Sequence, residues 1–391
     1  MLKTIYLDNS ATTPVAPEVL EAMLPYFRTD YGNASSLHAL GQTARRAIER
    51  AREEIAATLG ASPGEIVFTS GATEADNLAI KGLAWTEKRK RHVITSRLEH
   101  PAVLRTCEWL ESQGYDVTFL DVDAAGRVDP EELAAALRDD TFLVTIMAGN
   151  NEIGTLQPIE RIGALCRERG VTFHTDAVQA YGKVPIPVHA VDLLSASAHK
   201  LHGPKGVGFL YVRDGTKLLP LVHGGGHEGG QRSGTENTPG IVGFAKAAAL
   251  AFGELASTPK RMRGFRDRLI DAITRIPSTR LNGHRTESLP HIANFSFQAI
   301  EGESLVMRLD EHGIATSTGS ACSSPDLEPS HVLLAIGVPL SMAHGSLRVS
   351  TGRQTTSEEI DALLEVLPMV VEELRAISPF KVGDAGCTPT E

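Results

Sequence analysis

Between about residue 40 and residue 215 the apolar positions follow two alternating rhythms. Ala44, Ile48, Ala51, Ile55 and Leu59 recur at helical spacing and trace one face. Short, continuous apolar runs then alternate with further helical patterns. The runs are Ile66-Val67-Phe68, Val93-Ile94-Thr95, Val117 to Leu120, Phe142 to Met147 and Val171-Thr172-Phe173. The spacing predicts helices near 73–88, 102–113, 130–137 and 160–169. Strands that are apolar throughout, separated by helices, predict a mainly parallel sheet covered on both faces. After about residue 257 the pattern changes. Helices near 259–275, 303–312 and 357–376 mix with strand-like runs at 291–298 and 346–350, which predicts a separate α+β unit. No internal repeat is visible, and the tail after Phe380 reads as disordered.

The chain has 391 residues, enough for two or three domains. Its net charge of -10 argues against general binding to nucleic acid or to anionic membranes. No apolar stretch approaches the length of a membrane span, and the first residues lack a signal-peptide core. Four cysteines in a chain this long make no disulfide framework and form no CxxC pair. The cytosol is the expected compartment. No metal-ligand cluster is expected.

Candidate chemistry gathers at the ends of the strands. Ser197-Ala198-His199-Lys200 is followed by a Gly-Pro turn, and an amine crowded by a hydroxyl and an imidazole can attack a carbonyl. Ser70 to Asn77 follows one strand and opens a helix, where backbone N–H groups can close on an anion. Asp176 in His174-Thr175-Asp176 could hold a protonated pyridine nitrogen. Asn151 in Asn150-Asn151-Glu152 could bond a phenolic oxygen, and His100 could stack on a ring. Taken singly, each has an ordinary alternative: a surface lysine, an N-cap, a turn. Taken together, they supply what a pyridoxal 5'-phosphate site requires.

With these residues the chain resembles cysteine desulfurases of the NifS/IscS type, within the class V aminotransferases. The resemblance runs from Tyr6 to about Ile360. It is carried by SGATEADN at 70–77, EH at 99–100, NNEIG at 150–154, DAVQ at 176–179, SAHKLHGPKG at 197–206, RSGTEN at 232–237 and GSAC at 319–322. It implies an α/β fold of the fold type I aminotransferase kind. That fold has a large domain with a mainly parallel, mixed sheet (residues 16–257) and a smaller α+β domain (1–15 and 258–380), before a tail at 381–391.

The resemblance also implies roles. Lys200 would condense with the coenzyme aldehyde and later shuttle protons. His100 would stack on the ring. Asp176 would pair with the ring nitrogen, and Asn151 and Gln179 would bond the phenolic oxygen. Thr73, Ser197 and His199 would hold the phosphate, joined by Thr235 from the neighbouring subunit of a homodimer. Arg348 would grip the substrate carboxylate, a task suited to a fork-shaped guanidinium; a surface ion pair is its ordinary alternative. Two positions depart from the usual pattern: Thr318 stands where serine is common, and His202 where an aromatic residue is often found. The tail does not look like the family's scaffold-docking end.

Cys322 bears on the choice of reaction. It lies among small, polar and turn residues, a composition that predicts an exposed, mobile loop. Cys107 and Cys166 sit in helical patterns and are expected to be buried and inert, and Cys387 lies in the tail. A mobile thiol suits conversion of L-cysteine to L-alanine with sulfur held as a persulfide on Cys322. The sulfur would then pass to an acceptor protein such as an iron–sulfur scaffold, or serve tRNA thiolation. A selenocysteine lyase or another enzyme of small amino acids is the alternative.

Overall fold

The computed structural model describes residues 4–319, 329–380 and 382. Cys322, Cys387 and nearly all of the tail therefore lie outside the described residues. A short strand β1 (Ile5–Tyr6) comes first. Seven strands then build the large sheet: β2 (Ile66–Thr69), β3 (His92–Ser96), β4 (Asp116–Leu120), β5 (Thr141–Thr145), β6 (Thr172–Asp176), β7 (Leu193–Ser197) and β8 (Gly208–Val212). Their spatial order is β2-β8-β7-β6-β5-β3-β4. Four neighbouring pairs, among β7, β6, β5, β3 and β4, run parallel, and β8 alone is antiparallel to both β7 and β2.

Direction follows from the connections. Parallel neighbours need a crossover: helix Pro101–Ser112 carries the chain from β3 to β4 and helix Ile159–Glu168 from β5 to β6, while residues 177–192 lead from β6 to β7. Only ten residues, 198–207, join β7 to β8, so the chain turns back on itself.

The expected helices form within two residues of the expected bounds. Helix Ala39–Leu59 buries Ala44, Ile48, Ala51, Ile55 and Leu59. It ends at Gly60, whose φ of 64° is the left-handed conformation that stops a helix at low cost. It packs against helix Thr238–Gly253. The sequence pattern did not announce that second helix. Ile241, Phe244, Ala245, Ala247 and Ala248 are all buried, so its apolar positions go all round and leave no stripe to detect.

The remaining strands are β9 (Thr279–Asn282), β10 (Ile292–Phe297), β11 (Ile314–Ala315) and β12 (Ser346–Ser350). Strands β12-β10-β9 form an antiparallel sheet, and β11 pairs with β1 in parallel. Helices Thr258–Ile273, Gly302–Glu311 and Ser357–Ile377 cover this second sheet. They share a core of Phe295, Phe297, Leu347, Leu363 and Leu367, to which the N-terminal Leu7 belongs. An isolated bridge from Asp8 to Ser350 lays the N-terminal segment along β12, from where it crosses toward the large sheet. Among the described residues no single helix is long and apolar enough to cross a membrane.

Candidate active site

The carboxyl ends of β2, β3, β5, β6 and β7 open on one edge of the large sheet, the edge where open α/β sheets bind ligands. A cavity of about 540 Å3 lies there. Its wall includes Thr73, His100, Asn151, Asp176, Gln179, Ser197, His199, Lys200 and Arg348. Nine of the eleven residues singled out by sequence thus share one site. Thr235 is exposed and does not line the cavity of its own chain. Cys322 lies outside the described residues, but Gly319, three positions before it, is part of the wall.

Lys200 ends a short 3-10 turn, Ala198–Lys200, directly after β7. Its Nζ donates to Ser10 O at 2.6 Å and Ala11 O at 2.8 Å. The N-terminal segment is in turn tied to the same turn, since Thr13 N and Thr13 Oγ1 both donate to His199 O. Gln179 Nε2 reaches Ser10 O at 2.9 Å. The stretch 10–13 is therefore a wall of the site, which the sequence reading missed. His202 takes a left-handed φ of 63° and is fully used: its ring spans Pro14 O at 3.1 Å and the Arg353 N–H at 3.3 Å.

Asp176 is the last residue of β6, and its Oδ1 accepts from Val178 N at 2.9 Å. Burial pushes its carboxyl up, while His100, the Val178 N–H and Lys200 oppose that rise. Beneath it lie two acids the sequence reading left without a role. Asp76, one turn on from Thr73, is buried 3.6 Å from His174 Nε2; burial and then the charge of Asp176 push it far above the ordinary carboxylate range. Glu99 is pushed up to about 8 by burial, although it accepts from Ser96 Oγ at 2.6 Å and from Met147 N at 3.0 Å. His174 is driven down to about 3 by burial, so its ring is neutral.

His100 caps helix Pro101–Ser112, its Nδ1 accepting from Ala102 N at 3.1 Å. Burial lowers its pKa. Burial and then the charges of Lys200 and Lys205 bring His199 down to about 4. Arg348 on β12 is 3% exposed, so its ion pair is buried, not on the surface. Nη2 meets Asp8 Oδ1 at 2.8 Å and Nη1 meets Asn151 O at 3.0 Å, while Nε has no partner. Glu152 is buried in the same wall. Its Oε2 accepts from Ser330 Oγ at 2.6 Å, and a side chain at Gly319 would lie 3.3 Å from that oxygen.

The donor set suits a pyridoxal phosphate. A helix start with Thr73, Ser197 and His199 suits the phosphate. Asp176 suits a ring nitrogen, and Lys200 an aldehyde. Among the described wall residues, both Ser10 Oγ and Arg348 Nε are buried without a hydrogen-bond partner, as are the carboxylate oxygens of Asp76. Buried polar groups are normally bonded, so both fit a wall that meets a polar ligand. Cys107 and Cys166 are buried, and burial raises both thiols, Cys166 to about 12.

This fold and site define a class. The family described as Aminotransferase class-V matches residues 5–363, and the chain belongs to that family of pyridoxal phosphate enzymes. Within it, the chain is similar to proteins named for one activity. It is 55% identical to the cysteine desulfurase IscS of Methanosarcina thermophila over 381 residues, 97% of this chain and 94% of that one. It is 50% identical to cysteine desulfurase 1 of Trichormus variabilis over 388 residues, 98% of this chain and 97% of that one. A solved NifS-like protein superposes with a TM-score of 0.89 at 42% identity, covering 95% of this chain and all of that one. SspA, solved in complex with cysteine, superposes at 0.79 with 41% identity, covering 90% of this chain and 99% of that one.

Proposed function

We propose that this protein is a pyridoxal phosphate-dependent cysteine desulfurase that converts L-cysteine to L-alanine and carries the sulfur on Cys322. The observation that carries the reading is the meeting of Lys200, Asp176, His100 and Arg348 in one cavity whose wall continues into Gly319, three residues before the candidate thiol. When bound, the coenzyme supplies an electron sink for the bonds broken at the substrate's Cα and Cβ.

The protein's own groups do the rest. Asp176, with one oxygen engaged by a backbone N–H, would pair with the ring nitrogen and keep it protonated. Thr73, Ser197 and His199 bind the phosphate, and Asn151 and Gln179 the phenolic oxygen. Lys200, whose Nζ donates to Ser10 O and Ala11 O, would hold the coenzyme by its aldehyde and then move the proton at Cα. Arg348 would take the substrate carboxylate through Nε, its guanidinium nitrogen without a protein partner. His100 presents its ring to the coenzyme and is neutral, as burial dictates. The Cys322 thiolate attacks the substrate sulfur: a S–S bond forms, the Cβ–S bond breaks, and the electron pair goes to the substrate carbon.

The exposure of Thr235 away from its own cavity supports its service in a partner's site, and so a homodimer. A separate core behind β9, β10 and β12, with β1 joined to β11, supports the division into domains 16–257 and 1–15 with 258–380. An acceptor protein, such as an iron–sulfur scaffold in the cytoplasm, is the destination we infer for the sulfur.

Incubation with L-cysteine should release one alanine per sulfur and add the mass of one sulfur atom to the peptide carrying Cys322. Cys322→Ala should abolish both the adduct and sulfide release while the coenzyme's absorption remains. Sulfur release that survives this substitution would overturn the reading.

A further inference from the structure

We infer that His331 is a substrate-contacting residue whose Nδ1 accepts the thiol hydrogen of bound L-cysteine; the inference rests on the desulfurase reading above. The backbone fixes the state of the ring. His331 Nε2 lies 3.1 Å from Glu99 O. A carbonyl oxygen only accepts, so Nε2 carries the hydrogen, and in the neutral ring the lone pair sits on Nδ1.

His331 lines the cavity with Lys200, Arg348 and Gly319. The ring is held in place from behind. Ser330 Oγ donates to Glu152 Oε2 and accepts from Val332 N at 3.1 Å, and Val332 and Leu333 pack against Leu98 and Ile153.

A second imidazole in the wall, that of His100, has the opposite assignment. His100 Nδ1 accepts from Ala102 N, so its hydrogen is on Nε2. The cavity therefore offers one imidazole that gives a hydrogen and one that receives it, and the two are linked through the Glu99 carbonyl.

A bound L-cysteine has three polar ends. Its carboxylate needs donors, and Arg348 has them. Its amine is taken up by the coenzyme. Its thiol is left as a donor in want of an acceptor. The wall is rich in donors: Thr73, Ser197, Lys200, Arg348 and the N–H of His100. Of the wall's carboxylates, Glu152 Oε2 meets Ser330, Glu74 meets Arg232, Asp176 meets the ring nitrogen in the reading above, and Asp76 is 1% exposed beside His174. His331 Nδ1 is an acceptor that matches the thiol.

The test measures binding, not turnover. In a Cys322→Ala background, which keeps the substrate sulfur in place, the coenzyme's absorption is titrated with L-cysteine and with L-alanine. His331→Phe and His331→Ala should each weaken L-cysteine about five-fold, as the loss of one hydrogen bond does, and leave L-alanine unchanged. His331→Asn, which can donate to Glu99 O and still offer an oxygen, should restore most of the loss. Two substitutions at the site guard against one that fails to take up coenzyme. A cysteine-to-alanine affinity ratio that does not move in either variant overturns the inference. That result leaves the desulfurase reading standing, because alanine release by the unaltered enzyme tests it separately.

Discussion

The acid Glu99 shows how burial writes chemistry that a motif does not spell out. Burial pushes its carboxyl up to about 8 in the folded protein, against 4.5 for an exposed glutamate, so the folded chain keeps a proton that the unfolded chain releases. The stabilisation is therefore complete below about pH 4.5 and is lost as pH rises through 8. Glu99→Gln keeps an acceptor for Ser96 and Met147 but cannot ionise. Urea unfolding across pH 5–8 should show the unaltered protein losing stability relative to the variant by about 1.4 kcal/mol per pH unit. Parallel curves would remove Glu99 from the account. The lysine, the aspartate at 176 and the histidine at 100 were legible as residues because each stands in a characteristic string at a strand end. Asp76, Glu99 and His331 were not. Their states depend on what surrounds them in space: Asp176 above Asp76, Met147 over Glu99, a carbonyl beside His331.

At the scale of elements, strands and amphipathic helices were legible where the period was clean, as along Ala44 to Leu59. Helix Thr238–Gly253 was hidden by being apolar on every side, and β9 by having a single apolar residue, Leu281, in Thr279–Asn282. The reversal at β8 was hidden because direction is a property of the connection and not of the strand. That reversal matters to the site. At Gly208, the first residue of β8, a Cβ would lie 2.7 Å from both Ala196 O and the carbonyl carbon of Gly71. Backbone, not flexible side chain, stands in the way, so Gly208→Ala must push apart β7 and the turn that opens helix Ala72–Thr86. We expect a loss of about 1–3 kcal/mol in stability and weaker uptake of coenzyme, read by thermal unfolding and by absorption. A variant of unchanged melting temperature and coenzyme affinity would contradict this account of the close approach.

For the whole molecule, the proposed sharing of sites between protomers makes a prediction that one protomer cannot satisfy. Lys200→Ala and Thr235→Ala homodimers should each be impaired. In a hybrid of the two, one cavity keeps its own Lys200 and receives Thr235 from the partner, while the other has neither. Mixing the two proteins under conditions that exchange subunits should therefore recover activity, up to one intact site per hybrid. No recovery, with exchange confirmed by mass, would place Thr235 outside the partner's site. The second sheet, β12-β10-β9, was legible from the change of rhythm near residue 257. The return of the N-terminus was not, because two residues of β1 and the bridge from Asp8 to Ser350 are too short to leave a pattern.

Ser330 Oγ donates to Glu152, and a side chain at Gly319 would lie 3.3 Å from the same carboxylate, so the described residues on either side of 320–328 lie near one buried acid. Closing a stretch between ends held this close depends only weakly on its length. Doubling the residues between its ends would add only about 0.6 kcal/mol of closure entropy and would leave both footings untouched. In the proposed reading, the reach toward a sulfur acceptor would then change by insertion or deletion alone, with the wall around Lys200 inherited unaltered.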